Sequence, residues 1–202
     1  MPRIIAYTIA AAVLIFASIP VHAAVEIGQP APEIETTDTN GNVFKLSDHK
    51  GKIVVLEWTN HQCPFVIKHY GSGNMQAVQK LAKEQDVEWI SIVSSASGRQ
   101  GNVDADEANK IVEEQSATIS AKILDASGKI GKLYDAKTTP HMFVIDTNGN
   151  IAYAGAIDNN PSPNPNVIAK SENYVLAAIK DLKAGRSVAK SQTQPYGCAV
   201  KY

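Results

Sequence analysis

The sequence predicts an α/β layer fold, a central mixed β-sheet flanked by helices. Three observations predict it. Apolar, strand-like runs alternate with helix-compatible segments along most of the chain, the pattern that lays helices against a sheet. The run Ile53-Val54-Val55-Leu56-Glu57-Trp58 is apolar at nearly every position, which suits a strand covered on both faces. Two further runs, His141 to Asp146 and Ile151 to Gly155, flank Thr147-Asn148-Gly149-Asn150, so an antiparallel hairpin joins the alternating pattern.

The elements follow in order. After Gln29-Pro30-Ala31-Pro32, Thr39-Asn40-Gly41-Asn42 reads as a turn and Val43 to Leu46 as a short strand leaving it. The strand from Ile53 to Trp58 runs into Thr59-Asn60-His61-Gln62-Cys63-Pro64, a turn followed by helix-compatible sequence. Pro64 suits a first helical position, because it has no amide hydrogen to leave unpaired and its dihedral is already helical. Beyond Gly71-Ser72-Gly73, Met75, Val78, Leu81 and Ala82 fall on one face of a helix reaching Glu84. Val87 to Val93 is a second buried strand, Asp104 to Gln115 a polar helix with an Asp-rich start, Lys122 to Leu124 a short strand and Ile130 to Tyr134 a short helix. In the hairpin, Asn148-Gly149 is expected to supply the positive dihedrals of a tight turn. Asn159 to Asn166 is a Pro-rich loop, and a last helix is expected from about Ile168 to Lys183, ended by Gly185.

Composition bounds the chemistry. The 202 residues carry 19 Lys and Arg against 20 Asp and Glu and are 44% hydrophobic, with no like-charge block and no repeat. Collagen, wholesale disorder and a basic nucleic-acid surface are therefore excluded as readings. Two cysteines, Cys63 and Cys198, are too few for an all-cysteine zinc site or a dense disulfide framework. Arg3, the uncharged apolar run after it and Val21-His22-Ala23 have the layout of a secretory signal peptide, residues 1–23. A retained anchor would need about 20 apolar residues, more than this run offers. The expectation is thus an exported chain, periplasmic or secreted, with no stable membrane anchor after cleavage. It has one domain over residues 24–186 and a tail, 187–202, that carries Cys198. An oxidising compartment lets two thiols form a disulfide.

Cys63 is the strongest candidate for chemistry because of where it stands. A strand hands over to a helix just before Pro64, so unpaired amides and the positive helix end face the sulfur and favour a thiolate. His61 could add a positive charge or a hydrogen bond. The bland alternative is a small buried hydrophobe. Thr139-Pro140 is the second informative site, since a proline ahead of an apolar strand must sit at its start and a cis peptide bond is open to it.

The motifs GQPAPEI, GNVFKLSDHKGK, IVVLEW, TNHQCPFV and TTPHMFVIDTNGNI together resemble the thioredoxin-fold superfamily. More narrowly they are similar to its redoxin branch, with the alkyl hydroperoxide reductase / thiol-specific antioxidant and peroxiredoxin-like proteins. The similarity covers roughly Val25 to Leu182. It implies that Cys63 is the first active-site cysteine, and that Pro140, with Thr139 before it, is the cis-proline whose loop touches the reactive sulfur and binds thiol partners. It also departs from the family at named places. Cys63-Pro64-Phe65-Val66 lacks the second cysteine of C-x-x-C. Asn60 holds the place three before the cysteine where peroxiredoxins carry threonine, with Thr59 one residue further back, and no arginine stands beside Pro140. Arg99 is a weak candidate for assisting the site.

The resemblance to two-cysteine peroxiredoxins makes Cys198 the candidate resolving thiol, brought to Cys63 by a mobile tail. The expected activity is thiol-dependent oxidoreduction, led by peroxide reduction, with thiol-disulfide exchange on protein substrates as the alternative. A permanent Cys63–Cys198 staple is the competing reading, as is a non-enzymatic binding or metallochaperone-like module. The expected partners are an external thiol reductant of thioredoxin-like type and a peroxide or disulfide substrate, with no nucleic acid and a homodimer left open. No cofactor is called for, and a metal site of Cys63, His61 and His141 is the minor alternative. Trp58 and Trp89 are expected in the core, and the charged face from Asp104 to Glu114 in solvent.

Overall fold

The six residues of the strand Ile53–Trp58 (β3) are buried without exception, and in the computed structural model, which describes residues 25–202, that strand lies at the centre of a five-stranded sheet. Val87–Val93 (β4) pairs parallel to it on one side, and His141–Ile145 (β7) pairs antiparallel on the other. Ala121–Leu124 (β5) extends the sheet parallel to β4, and Ile151–Gly155 (β8) closes the hairpin with β7, giving the order β5-β4-β3-β7-β8. The sheet is mixed and has helices on both faces, a thioredoxin-like fold. The expected leader, residues 1–23, lies outside the described residues.

Alternation along β3 sorts the core into two layers, because successive side chains of a strand point to opposite faces. Ile53 and Val55 join Cys63, Met142, Val144 and the helices Pro64–Gly71 (α1), Asn74–Glu84 (α2) and Tyr174–Lys183 (α5). Val54, Leu56 and Trp58 face Ile90, Ile92, Phe143 and the short helix Lys129–Leu133 (α4). The first layer holds the cysteine, so the chemistry lies on the α1/α2/α5 side. The helix Ala105–Glu114 (α3) starts where the Asp104 carboxylate accepts the Glu107 N–H at 2.9 Å. Both tryptophans are core residues, as expected: Trp58 donates to Ser94 Oγ and Trp89 to Glu57 Oε2.

Three local expectations are corrected. The last helix begins at Tyr174 rather than near Ile168, because the Asn173 side chain caps it by accepting the Leu176 N–H at 2.9 Å. Pro165–Lys170 forms a separate 3-10 turn opened by the Asn164 side chain. The β7–β8 turn is not an Asn-Gly two-residue turn. Only Gly149 has positive φ, and Asp146 Oδ1 accepts from the N–H groups of Asn148 and Asn150. The same pentapeptide, Asp-Thr-Asn-Gly-Asn, recurs at 38–42 with the same bonds. There it joins the small hairpin of Glu35–Thr37 (β1) and Val43–Lys45 (β2).

The third correction concerns the C-terminal tail, which is docked. Cys198–Ala199 (β9) pairs antiparallel with Thr138–Thr139 (β6), Thr193 N–H donates to the Ala154 carbonyl and Ala96 N–H to the Lys201 carbonyl. Tyr202 ends the strap against α4, donating to the Ala136 carbonyl at 2.7 Å. A side chain at Gly131 would run into its ring and hydroxyl.

Candidate functional site

Cys63 is held by the turn that follows β3. The Thr59 N–H donates to the Ile92 carbonyl and so prolongs the β3–β4 ladder, after which the chain turns back with the Cys63 N–H donating to the Asn60 carbonyl at 2.9 Å. The Asn60 side chain fixes this turn: its Oδ1 accepts the Gln62 N–H and its Nδ2 donates to the Gln100 carbonyl. Cys63 then caps α1, its carbonyl accepting from Val66 and Ile67, with Pro64 in the first turn. The cysteine is fully buried.

Two other segments converge on its sulfur. The Thr139–Pro140 peptide is cis, and the Thr139 carbonyl oxygen lies 3.0 Å from Cys63 Sγ. From the other side comes the tail, with Cys198 registered opposite Thr139 and its Sγ 2.7 Å from Cys63 Sγ. That separation is longer than the roughly 2.05 Å of a disulfide, so no bond joins the two sulfurs, and it sets them side by side for bond formation. Gly197 makes the approach geometrically feasible. Its φ is +139°, and a Cβ there would run into the Thr139 carbonyl oxygen.

The environment splits the two thiols. Burial pushes the Cys63 thiol up, but hydrogen bonding from Cys198 and Thr139, and from the backbone N–H groups of Cys198 and Val66, outweighs it and leaves the thiol below its ordinary value. Among these, the buried Thr139 Oγ1 has no hydrogen-bond partner and the Val66 N–H donates to the Cys63 carbonyl, so the Cys198 sulfur is the firmer cause. Burial and the neighbouring Cys63 sulfur raise the Cys198 thiol to about 11. The two thiols are thus shifted in opposite directions, Cys63 down and Cys198 up. When Cys63 is protonated, its S–H donates instead to the Thr139 carbonyl.

Of the residues expected at the site, Cys63, Cys198, Thr139 and Pro140 come together. Thr59 is buried at the strand end and His61 is half-buried in the turn, and neither hydrogen-bonds either sulfur. Burial, then the Lys122 charge, holds the His61 imidazole below its usual range, so it is neutral at neutral pH. Arg99 is exposed in its loop. His141 packs on Phe143, in the layer across the sheet from Cys63, so Cys63, His61 and His141 are not gathered as a metal site.

Sequence reasoning missed a polar cluster behind the site, formed by the buried Lys68, His69 and Asp158 and the half-buried Tyr196. The signal was present in Lys68-His69, two ionisable residues placed next to the apolar run Phe65-Val66-Ile67 and on the helix that Cys63 opens. It also missed Glu57, fully buried in β3 and hydrogen-bonded by Tyr70 and Trp89 at 3.0 and 2.8 Å and by Gln79 at 3.4 Å.

The Redoxin family model matches residues 26–171, most of the chain, with Cys63, Thr139 and Pro140 inside the match. This chain belongs to the Redoxin family. As a Redoxin it is a thiol-dependent oxidoreductase. It is 30% identical over 129 residues to thiol-disulfide oxidoreductase ResA of Bacillus thuringiensis subsp. konkukian, covering 62% of this chain and 67% of that one. It is 36% identical over 63 residues to peroxiredoxin Bcp of Bacillus subtilis, a stretch that covers 27% of this chain and 40% of the relative. In fold, this Redoxin is similar to an uncharacterized conserved protein from Geobacillus kaustophilus, with a TM-score of 0.76 at 24% identity over 88% of this chain and 92% of the other.

Proposed function

We propose that this Redoxin is an exported thiol-disulfide oxidoreductase in which Cys63 attacks and Cys198 resolves. The observation that carries the reading is the apposition of Cys198 Sγ to Cys63 Sγ at 2.7 Å, at a helix start and against the Thr139 carbonyl. A sulfur that caps a helix start and faces the Thr139–Pro140 loop is the seat of an attacking thiolate, which a static staple does not need.

In the proposed cycle the Cys63 thiolate attacks one sulfur of a substrate disulfide. The bond from Cys63 Sγ to that sulfur forms, the substrate S–S bond breaks, and the departing thiolate takes up a proton. Cys198 gives up its proton and attacks Cys63 Sγ, forming the Cys63–Cys198 disulfide and releasing the second substrate thiol. Two electrons pass from the cysteine pair to the substrate. An external thiol reductant returns them by reopening the disulfide through the same exchange. The leader read in residues 1–23 supports export, and thiol-disulfide exchange follows the ResA relative.

Peroxide reduction is the second reading, favoured by the match to peroxiredoxin Bcp. There the thiolate attacks a peroxide oxygen, the O–O bond breaks and the alcohol leaves with a proton. Cys198 then displaces water from the Cys63 sulfenic acid. Against its priority, the Asn60 side chain is engaged with Gln62 and Gln100, and Arg99 is exposed.

Both activities are measured with one preparation and one thiol reductant: reduction of insulin disulfides, and consumption of hydrogen peroxide. The proposal expects disulfide reduction to fall at least 100-fold in Cys63→Ser. Peroxide consumption that depends on Cys63, without disulfide reduction, replaces it with the second reading. Loss of neither activity in Cys63→Ser overturns both.

A further inference from the structure

Lys68 and His69 lie on α1 five and six residues beyond Cys63, both fully or almost fully buried, and neither touches a sulfur. Their polar atoms converge on the tail. Lys68 Nζ donates to the Asn160 carbonyl at 2.9 Å, to Asp158 Oδ2 at 3.3 Å and to the Tyr196 hydroxyl at 3.3 Å. Asn74 donates to His69 Nδ1 at 2.8 Å, which leaves the proton of the neutral ring on Nε2, 3.3 Å from the same hydroxyl. The Tyr196 O–H in turn donates to Asp158 Oδ1. One phenol oxygen thus accepts from a lysine and a histidine and gives its own proton to a carboxylate, which fills its hydrogen-bonding capacity. The ring is held as well, edge-on to Phe65 at 5.8 Å and beneath Lys68 Nζ at 5.4 Å.

Tyr196 is two residues before Cys198, with only Gly197 between them, and Gly197 rests against the Thr139 carbonyl. The chain from the phenol to the second sulfur is therefore short and pinned at both ends. Burying Lys68 and Asp158 removes two charges from water, a cost that their attraction need not offset, so stability alone does not account for the pair.

We propose that Tyr196, seated by Lys68, His69 and Asp158, is a positioning residue that holds Cys198 Sγ against Cys63 Sγ. It raises the effective concentration of one thiol at the other and so favours closure over a lingering mixed disulfide. This rests on the reading of Cys198 as the resolving thiol. Removing the hydroxyl leaves the His69 N–H without its partner while the tail is docked, so the undocked tail gains population.

The test is the equilibrium between the Cys63–Cys198 disulfide and reduced protein in glutathione buffers, with the glutathione mixed disulfide on Cys63 quantified by mass spectrometry. Tyr196→Phe keeps the ring and is expected to lower the effective concentration at least tenfold and to accumulate mixed disulfide, with the far-UV circular dichroism of the wild type. Phe65→Leu, which removes the neighbouring ring and spares the hydroxyl network, is the second variant, with an expected fall of two- to fivefold. Wild-type equilibria, within twofold, in Tyr196→Phe overturn the proposal, as they do in Phe65→Leu if Tyr196→Phe fails to fold. A wild-type protein that forms no Cys63–Cys198 disulfide overturns the resolving role itself along with the clamp. Closure in wild type with no change in the variants overturns the clamp alone.

Discussion

Cys63 Sγ meets Cys198 Sγ at 2.7 Å although 135 positions of chain separate them, and the Thr139 carbonyl oxygen closes the group at 3.0 Å from Cys63. Four readily checked consequences follow from this contact and from the core that supports it.

The first separates the roles of the two thiols. With Cys198→Ser, Cys63 still attacks a disulfide but has no second thiol to release the product, so a mixed disulfide is expected to accumulate to near one equivalent after incubation with oxidised glutathione. Cys63→Ser is expected to form less, because burial still holds the remaining Cys198 thiol above its ordinary value, although the upward push from the Cys63 sulfur is gone. Intact-protein mass spectrometry counts both adducts, and equal adducts in the two variants would remove the assignment of roles.

The second is a pH profile. A hydrogen bond to a thiolate stabilises the charged form, so deleting the donor must raise the thiol pKa. The midpoint of Cys63 alkylation by iodoacetamide is expected below the ordinary thiol value in wild type, and higher in Cys198→Ala, which lacks the S–H donor. Thiolate absorbance at 240 nm reports the same midpoint without a reagent. A downward move in Cys198→Ala would show that the tail acts on Cys63 mainly by burying it.

The third is the pH dependence of stability. Burial holds the His141 imidazole at about 4, and its Nδ1 accepts the Lys137 N–H. Below the unfolded value of about 6.5 the unfolded chain binds this proton and the folded chain does not. Stability from the neutral ring is therefore complete above pH 6.5 and is lost progressively as pH falls toward 4, with an upper bound of about 3 kcal/mol. Urea unfolding at pH 7 and pH 4.5 is expected to show a smaller loss for His141→Gln than for wild type. Equal losses would place the acid sensitivity in other groups.

The fourth concerns Glu57, whose carboxylate collects the Trp89 N–H, the Tyr70 O–H and the Gln79 amide inside the sheet-helix layer. Burial pushes its pKa up and these donors pull it partly back. Glu57→Leu leaves three buried donors to find new partners and is expected to cost about 2–5 kcal/mol by urea unfolding, at unchanged m-value. A cost below about 1 kcal/mol would mean that the donors re-pair or that water enters.

Much of this is legible in the sequence. Ile53 to Trp58 announced a doubly covered central strand because every position but Glu57 is apolar. Pro64 announced the helix start because its backbone fits nowhere better. Thr139-Pro140 was legible as a strand entrance. Other features were not. The start of the last helix depended on the capping side chain of Asn173, which the apolar pattern beginning at Ile168 concealed. Tyr196 carried no local signal, because an isolated aromatic among Gln194, Pro195 and Gly197 reads as loop. Lys68 carries no sign in the sequence of which group it meets, because Asp158 lies 90 positions away.

The sequence by itself determined the α/β layers, the strand-to-helix seat of Cys63 and the proline-bearing strand, since apolar periodicity and the dihedral limits of proline and glycine act over a few residues. Only the tertiary structure decided that the tail docks rather than roams, that Cys198 rests against Cys63 and that a lysine, a histidine and an aspartate share the Tyr196 hydroxyl. Those outcomes belong to packing. Each joins groups tens of positions apart, whose meeting depends on how the sheet orients every segment laid upon it.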